Sequence, residues 1–327
     1  MTTAAATASR MTARWRSLFR DRPVVPLFGL LAILVVLSEL ARPGVVNAGW
    51  AANIVRTSIP LAILAACQTL TMLTGGIDLS VGAIASMSGF VLATLVSGPG
   101  TGFGIVVALA AAALAGLVTG VGVGVFRVHP LIMTLGMSLV VLGLANVWQL
   151  QNVTAGTRVA PELRTLGSVL FLDMIPLSLV IFVPVAAFVV VVLRRTGFGR
   201  LLYAIGDNPT AARLSGARSW QVLIVLYVVS ALLAAVAGFL ISGGSNVASV
   251  TLADSYVLPS VAAAVIGGTS ILGGRGGFVG TMVGALILTV VESLLSSLGY
   301  PEAVRQILFG SIIVVVAAAY TRVTGDA

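Results

Sequence analysis

Apolar residues run along the chain in long blocks that polar residues interrupt at intervals. Nine of these blocks are each about long enough to cross the hydrocarbon core of a membrane as a helix. They are Val24–Ala41, Thr57–Thr74, Leu79–Ser97, Phe103–Phe126, Leu131–Leu150, Ile175–Leu193, Gln221–Ser242, Gly277–Leu298 and Ala303–Thr321. A tenth block, Leu258–Leu272, is shorter and is expected to form a tilted, broken or re-entrant span. The pattern therefore predicts an all-α polytopic membrane protein with about ten transmembrane helices.

The composition leaves little room for anything but membrane-embedded helices. The mean hydropathy is +1.12, with 58% hydrophobic and only 9% charged residues, which excludes an ordinary soluble domain. The longest stretch outside the predicted spans is 194–220, which is too short for a separate soluble unit. We expect a basic tail at 1–23, a single transmembrane permease domain at 24–321 that includes the loop 194–220, and a short tail at 322–327.

The basic residues set the orientation of these spans. The formal net charge is +8, and all eighteen cations are arginines, as the sequence has no lysine. If the N-terminus is cytoplasmic and ten spans alternate, thirteen arginines lie inside, and five lie outside: Arg42, Arg56, Arg158, Arg164 and Arg305. Positive residues favour cytoplasmic loops. Both termini and the loop 194–220 are therefore expected in the cytoplasm, and no nucleic-acid partner is needed to explain the charge.

Glycines recur in matching ways in the two parts of the chain. Rows with a spacing of four occur at Gly116, Gly120 and Gly124, and again at Gly276, Gly280 and Gly284, a pattern typical of closely packed membrane helices. Each part also has a Gly-Gly break near polar residues: TGGIDLSVG at 74–82 and IGGTSILGGRGG at 266–277. The pattern favours two inverted five-helix halves, with a binding site between them near the membrane midplane.

Several kinds of chemistry are excluded by the residue types present. A phosphate-binding P-loop requires a lysine, which the chain lacks. The single histidine, His129, and the single cysteine, Cys67, exclude zinc sites built from several such ligands. No nucleophile–base pair is recognisable, so we expect neither an enzyme, nor a catalytic residue, nor a metal or cofactor bound to this chain.

Polar residues inside the predicted spans are the candidates for a translocation pathway, because charge is costly there. Asp78 follows a Gly-Gly break, where it can cap the next helix, line a pathway, or do both. Glu292 is the deepest acid and is expected to face a cavity or a polar partner. Gln68, Ser80 and Asn146 complete the predicted pathway set. For each of them, hydrogen bonding between helices remains the alternative.

The loop 194–220 contains a short helix with signals at both ends. Asn208 can cap its N-terminus, Pro209 suits the first position, and Gly216 suits a left-handed C-terminal position. The spacing predicts a helix over 209–215. So short a helix is unstable alone in water. It is expected to dock on another protein, with a merely structural connector as the alternative.

Three motifs together resemble one transporter family. The segment GRLLYAIGDNPTAARLSG at 199–216 is similar to the ATPase-coupling loop of the sugar permease family of ABC importers, typified by ribose permeases. TGGIDLSVGAIASMSG at 74–89 and GGTSILGGRGGFVG at 267–280 resemble two further signatures of that family, in the same order along the chain.

The resemblance implies a permease subunit in the bacterial inner membrane that moves a monosaccharide or similar solute by alternating access. The implied partners are a second permease subunit in a homo- or heterodimer, two ATPase subunits or one fused tandem ATPase that bind ATP and Mg²⁺, and an extracytoplasmic sugar-binding protein. The implied ATPase-coupling residues are Gly206, Asp207, Asn208, Pro209, Ala211, Ala212, Arg213, Ser215 and Gly216. The alternatives are an ion-driven carrier, a channel, or the same role for a nucleoside or a branched-chain amino acid.

Overall fold

A computed structural model describes residues 24–152, 158–172 and 174–324. The predicted basic tail 1–23 lies outside the described residues, as does the end of the predicted C-terminal tail, 325–327. The last helix continues three residues past the predicted end of the membrane domain at Thr321. The described chain is helical apart from its connections and one two-residue β-hairpin.

The helices follow the apolar blocks, but the block Thr57–Thr74 belongs to a helix that starts earlier, at Ala48, and the block Ile175–Leu193 begins with a short strand before its helix. The first five are α1 (Val24–Ala41), α2 (Ala48–Met72), α3 (Val81–Leu95), α4 (Thr101–Gly124) and α5 (Pro130–Gln151). A short helix α6 (Pro161–Ser168) precedes the antiparallel strands β1 (Leu170–Phe171) and β2 (Ile175–Pro176), in which Leu170 is opposite Pro176. The remaining helices are α7 (Leu179–Arg195), α8 (Gly197–Asp207), α9 (Pro209–Leu214), α10 (Ser219–Ser245), α11 (Val257–Ile266), α12 (Phe278–Ser297) and α13 (Glu302–Thr324), with a 3₁₀ turn at Asp254–Tyr256 before α11.

These helices confirm an all-α polytopic membrane protein. Within the described ranges, five helices are long and apolar enough to cross a membrane: α2, α4, α5, α10 and α12. The pair α7 and α8, which bends by 67° at Thr196, adds a sixth if it forms one span. The count of about ten spans stays a prediction.

Helices α2 and α10 form the centre of the bundle. Each is two-thirds buried along its apolar stretch. Helix α10 packs against α2, α3, α4 and α6, whereas α2 also contacts α11 and α12. Helices α4 and α10 approach closely along the first glycine row: a side chain at Gly116 or Gly120 would meet the backbone of α10 at Val228 or Ile224. The predicted role of this row in close packing is therefore confirmed.

The second glycine row is only partly helical. Gly280 and Gly284 lie on α12 directly against the backbone of α11. Gly276, in contrast, lies before the helix at a φ of +132°, a conformation that an L side chain rarely adopts. The predicted row therefore combines a helix-packing element with a turn.

Helices α3 and α11 are too short to cross a membrane on their own. At about 1.5 Å per residue they extend roughly 22 Å and 15 Å, against a hydrocarbon core of about 30 Å. The predicted segment Leu258–Leu272 is thus a broken one, because its helix ends at Ile266. The starts of α3 and α11 meet: Gly82 lies against Val257, and Ser86 Oγ accepts the Ala253 N–H at 2.8 Å.

Candidate functional site

The predicted loop 194–220 is more ordered than its sequence indicated. After α7 the chain turns sharply, and Thr196 begins α8 by accepting the Gly199 N–H with its hydroxyl at 3.2 Å. Leu202 and Ile205 of α8 are buried, whereas Arg200 and Ala204 are exposed. The spacing of these apolar residues, one helical turn apart, is the signal for α8 that the sequence analysis missed.

Helix α9 has the predicted N-terminal cap and ends one residue earlier than predicted. Asn208 Oδ1 accepts the N–H groups of Thr210 and Ala211 at 3.1 and 3.0 Å, and Pro209 occupies the first helical position. The helix stops at Leu214, and Gly216 follows at a φ of +86°. Two short helices, α8 and α9, thus follow one another beyond the end of α7 and contact each other.

The residues predicted to contact an ATPase are mostly accessible in this part of the chain. Ala212 is buried and anchors α9, and Gly206 is half-buried. The others are exposed: Asp207, Asn208, Pro209, Ala211, Arg213, Ser215 and Gly216. Leu214 is 85% exposed, so its side chain is accessible to a partner. Arg213 and Leu214 therefore give α9 a free surface with one cation and one large apolar side chain.

The C-terminal end of α8 joins the two glycine-rich motifs. A Cβ at Gly206 would meet the carbonyl oxygen of Leu73, at the end of α2, and would lie 2.5 Å from the nitrogen of Gly274. The Gly274 N–H in turn donates to the Leu73 carbonyl at 3.0 Å. Gly273 adopts a φ of +95° while packed against both Gly206 and Gly75. Three motifs that are far apart in sequence thus share one backbone-to-backbone junction.

Tyr203 adds a side-chain bond to this junction, as its hydroxyl donates to the Gly276 carbonyl at 2.9 Å. Tyr203→Phe is expected to lower the free energy of unfolding by about 1 kcal/mol, because one hydrogen bond is lost while the ring is kept. Thermal denaturation of the purified protein in detergent measures the change. Tyr300→Phe is the matched control, since Tyr300 is exposed and lies outside the junction. Equal melting temperatures for both variants would contradict the role given to Tyr203.

A second group of polar side chains lies deeper, where the break after α2 contacts the middle of α10. Asp78 accepts hydrogen bonds from the Ser80 N–H at 3.0 Å, from the Ser80 hydroxyl at 2.6 Å and from the Ser230 hydroxyl at 3.0 Å. Gln68 donates to the Asp78 carbonyl at 2.8 Å and accepts its N–H at 3.2 Å. All four residues are at most 2% exposed. The structure therefore brings together three predicted pathway residues, Gln68, Asp78 and Ser80.

The contacts of Asp78 differ from those of an ordinary helix cap. The capping position of α3 is Ser80, whose side chain makes no capping bond. Asp78 binds Ser80 itself rather than the first turn of the helix. The predicted cap is thus wrong in its detail: the carboxylate fixes the segment that leads into α3 and ties it to α10. Ser230, which the sequence analysis did not select, supplies that link.

The other two predicted pathway residues lie elsewhere. Asn146 is exposed on α5 and donates to the Leu142 carbonyl of its own helix at 2.8 Å. Glu292 on α12 pairs with Arg305 at 3.1 Å, so it has a polar partner as expected, but it is not part of the Asp78 group. Within the described ranges no three His, Cys, Asp or Glu side chains are arranged to hold a metal ion.

Comparison with known proteins shows which family this chain is similar to. A family model described as "Branched-chain amino acid transport system / permease component" matches residues 50–317. The ribose import permease protein of Bacillus subtilis (strain 168) is 35% identical over 291 residues, which cover 89% of this chain and 90% of that protein. A probable ABC transporter permease protein of Escherichia coli (strain K12) is 35% identical over 292 residues, covering 89% and 87%.

A fructose import permease protein of Rhizobium meliloti is 31% identical over 305 residues, which cover 90% of this chain and 84% of the relative. No solved structure matches. The resemblance stated from the three motifs is therefore confirmed by similarity over most of the chain. Since the family model and the relatives extend over nearly all of its apolar blocks, the chain belongs to the family of ABC importer permease components, alongside sugar import permeases, and is a multi-pass protein of the inner membrane.

Proposed function

We propose that this chain is the transmembrane subunit of a binding-protein-dependent ABC importer for a monosaccharide or a similar small polar solute. It is not itself an enzyme: ATP and Mg²⁺ bind to separate ATPase subunits, either two chains or one fused tandem chain. A second permease subunit, in a homo- or heterodimer, and an extracytoplasmic sugar-binding protein complete the importer. The ribose and fructose import permeases among the relatives support a sugar as the solute.

One observation carries this proposal: the exposed helix α9 is connected through α8 to both glycine-rich breaks. Gly206 touches Leu73 before the first break and Gly274 within the second. Contacts between backbone atoms cannot be relieved by a change of side-chain rotamer, so a displacement of α9 is transmitted to α2 and to the loop before α12. Arg213 and Leu214 on the exposed face of α9 are the proposed contacts for the ATPase.

The packing supports two inverted halves of five spans each. Suppose that α2 corresponds to α10, α3 to α11 and α4 to α12. Each main contact between the two halves then has an equivalent contact when the halves are interchanged. Helix α4 packs on α10 and α12 packs on α2, while α3 contacts α10 and α11 contacts α2. An odd number of spans per repeat requires opposite orientations. In the ten-span arrangement, α3 and α11 are the two short helices whose starts meet inside the bundle.

The backbone junction at Gly206 and the two inverted halves together explain how alternating access would occur. Binding and hydrolysis of ATP on the partner move α9, and the movement reaches both halves through the Gly206 junction. The short helices α3 and α11 are the elements that shift most readily, because each is connected at one end by a glycine-rich segment. Asp78, tied to Ser230 of α10, would then determine how far the start of α3 moves.

Removing the cap of α9 tests the coupling role. Asn208→Ala deletes the acceptor of two backbone N–H groups, and the loss of an N-cap costs about 1 kcal/mol of helix stability. We expect substrate-stimulated ATPase activity of the assembled importer to fall roughly fivefold, by the energy-to-ratio conversion for about 1 kcal/mol. The measurement compares stimulated with basal ATPase activity in proteoliposomes.

Asn47→Ala is the matched control, because Asn47 caps α2 by accepting the Trp50 N–H at 2.9 Å, at the opposite end of that helix from Leu73. It should lower thermal stability by a similar amount and leave the stimulation of the ATPase unchanged. If both variants lose coupling equally, or if Asn208→Ala loses none, α9 is not the coupling element.

The description of the family model refers to branched-chain amino acids, which are the alternative solute class to be tested. Uptake by the assembled importer distinguishes the classes: labelled ribose or fructose should accumulate, and leucine should not. An ion-driven carrier or a channel is not favoured by the relatives. Accumulation of solute in vesicles that contain this purified chain alone, under an ion gradient, would overturn the proposal.

A further inference from the structure

A cavity of about 510 Å³ opens at the end of the bundle opposite to α8 and α9. Its walls come from α2, α11, α12 and α13, and residues near the start of α2, such as Asn53 and Thr57, line it. Leu73, at the other end of α2, lies beside Gly206. If α9 faces the cytoplasm, this outer cavity faces the opposite side. Its volume falls within the range of about 300–1,000 Å³ that is typical of small-molecule sites.

The charges in the outer cavity are balanced and partly unsatisfied. Arg305 of α13 bonds Glu292 of α12 at 3.1 Å and Glu302 at 2.7 Å, and Arg42 also lines the cavity. The side chains of Glu292 and Glu302 remain 47% and 48% exposed, whereas that of Arg305 is only 18% exposed. The Arg305 Nε lies buried without a hydrogen-bond partner. The partly exposed carboxylates therefore offer acceptors and the exposed Arg42 guanidinium offers donors, although the formal charge of these four residues cancels.

Such a lining fits a neutral solute with many hydroxyl groups. Each hydroxyl both donates and accepts, so it can bond a carboxylate oxygen and a guanidinium N–H in the same cavity. A solute with a net charge of either sign would meet a like charge close to every favourable one. Serine and threonine side chains, including Thr289 and Ser296, extend the polar wall.

Part of the wall of the outer cavity is less polar. Tyr256, Leu61 and Phe309 contribute to it, and Leu61 and Phe309 are each 3% exposed. Small-molecule sites commonly combine such apolar and aromatic surface with a few placed polar groups. The C–H face of a sugar ring matches this surface, while its hydroxyl groups match the charged rim.

We propose that the outer cavity is a binding site for a neutral polyhydroxylated solute, a monosaccharide or a polyol, and that Glu292 and Arg305 determine this preference. The proposal rests on the proposed import function and assigns the solute to a particular place in the chain. The site lies among α2, α11, α12 and α13, at the end of the bundle opposite to α9.

Protection of a cysteine placed in the wall tests this site. Ser296→Cys is made together with Cys67→Ser, and the full-length chain is purified into lipid nanodiscs. Labelling by a membrane-impermeant thiol reagent is timed with D-ribose, D-fructose, L-leucine or potassium chloride at equal osmolarity. We expect ribose or fructose at about 100 mM to slow labelling about threefold or more, as competition gives a factor of 1 + [L]/Kd and a transport site binds weakly. Leucine and potassium chloride should have no effect.

Two matched controls assign the effect to the cavity. Gly98→Cys lies in the exposed connection between α3 and α4 with no neighbouring atom within 4 Å, and its labelling should not respond to sugar. Glu292→Gln should remove most of the protection at Ser296→Cys, whereas Glu162→Gln should keep it, because Glu162 lies outside the cavity at the start of α6.

Four results would overturn the site: no labelling of Ser296→Cys, protection by leucine instead of sugar, equal slowing at Gly98→Cys, or full protection in Glu292→Gln. The assay contains no ATPase, so its result is independent of coupling through α9. Loss of ATPase stimulation with intact sugar protection would contradict the import mechanism alone, whereas protection by leucine would contradict the sugar site and leave the coupling role intact.

Discussion

Gly206→Ala is expected to abolish coupled transport, with substrate-stimulated ATPase activity at least about tenfold lower, since each 1.4 kcal/mol corresponds to a factor of ten. The added methyl group would overlap the Leu73 carbonyl oxygen and approach the Gly274 nitrogen. Both are backbone atoms of tightly packed segments, so the overlap can be relieved only if α8 and the end of α2 move apart. Overpacking of this kind costs about 1–3 kcal/mol, and an obstacle made of backbone belongs at the upper end of that range.

Gly197→Ala provides the matched control for Gly206→Ala. Gly197 lies at the other end of the same helix, α8, and the nearest atom to an added Cβ is an Arg200 side-chain nitrogen at 3.8 Å. This variant should retain transport and slightly stabilise the helix, because alanine is favoured over glycine there. The measurement is stimulated ATPase activity and uptake in proteoliposomes at equal amounts of folded protein. Normal coupling in Gly206→Ala would show that the junction is not on the mechanical path.

Asp78→Ala is expected to destabilise the protein by roughly 3 kcal/mol. Three donors, the Ser80 N–H and the hydroxyls of Ser80 and Ser230, lose their acceptor in a fully buried position. Each unsatisfied buried polar group costs about 1–3 kcal/mol, although a hydroxyl can turn to another acceptor. No water is available inside a bilayer to replace the carboxylate. We expect a clearly lower melting temperature in detergent and little transport.

Asp78→Asn distinguishes anchoring from a need for charge. The amide oxygen can still accept from Ser80, and the amide nitrogen can donate to the Ser230 hydroxyl. The cost should therefore fall to about 1 kcal/mol, as one neutral hydrogen bond replaces a charge-assisted one. Transport should stay within about fivefold of the unaltered chain, by the same energy-to-ratio conversion. Asp254→Ala, an exposed acid near the start of α11, should leave stability unchanged. If the asparagine variant fails as completely as the alanine variant, the negative charge itself is required.

Local signals allowed several elements of the coupling unit to be predicted. Asn208, Pro209 and Gly216 mark the ends of α9 because capping, proline at the first position and a left-handed glycine depend on neighbouring residues alone. Helix α8 was missed because its arginine, Arg200, and its three glycines are typical of a loop. Leu202 and Ile205 form its buried face, and their burial depends on other segments of the chain that pack over them.

The pathway residues show where such signals end. Gln68, Asp78 and Ser80 are close in sequence, and the structure brings them together. Asn146 and Glu292 were selected for polarity inside apolar blocks, yet Asn146 bonds its own helix and Glu292 joins Arg305 in the outer cavity. Polarity alone does not indicate which helices are neighbours. The sequence therefore did not identify Ser230 as the partner of Asp78 or Arg305 as the partner of Glu292.

The apolar blocks of this chain determined its helices, because a membrane helix satisfies its own backbone hydrogen bonds and needs only length and hydrophobicity. The arginine distribution likewise predicted an orientation from local charge. Which helices touch was decided only in three dimensions: Gly206 against Leu73 and Gly274, and Asp78 against Ser230, are contacts between residues far apart in sequence. Such contacts depend on the backbone conformations of two segments together, whereas a local sequence pattern reports on only one segment.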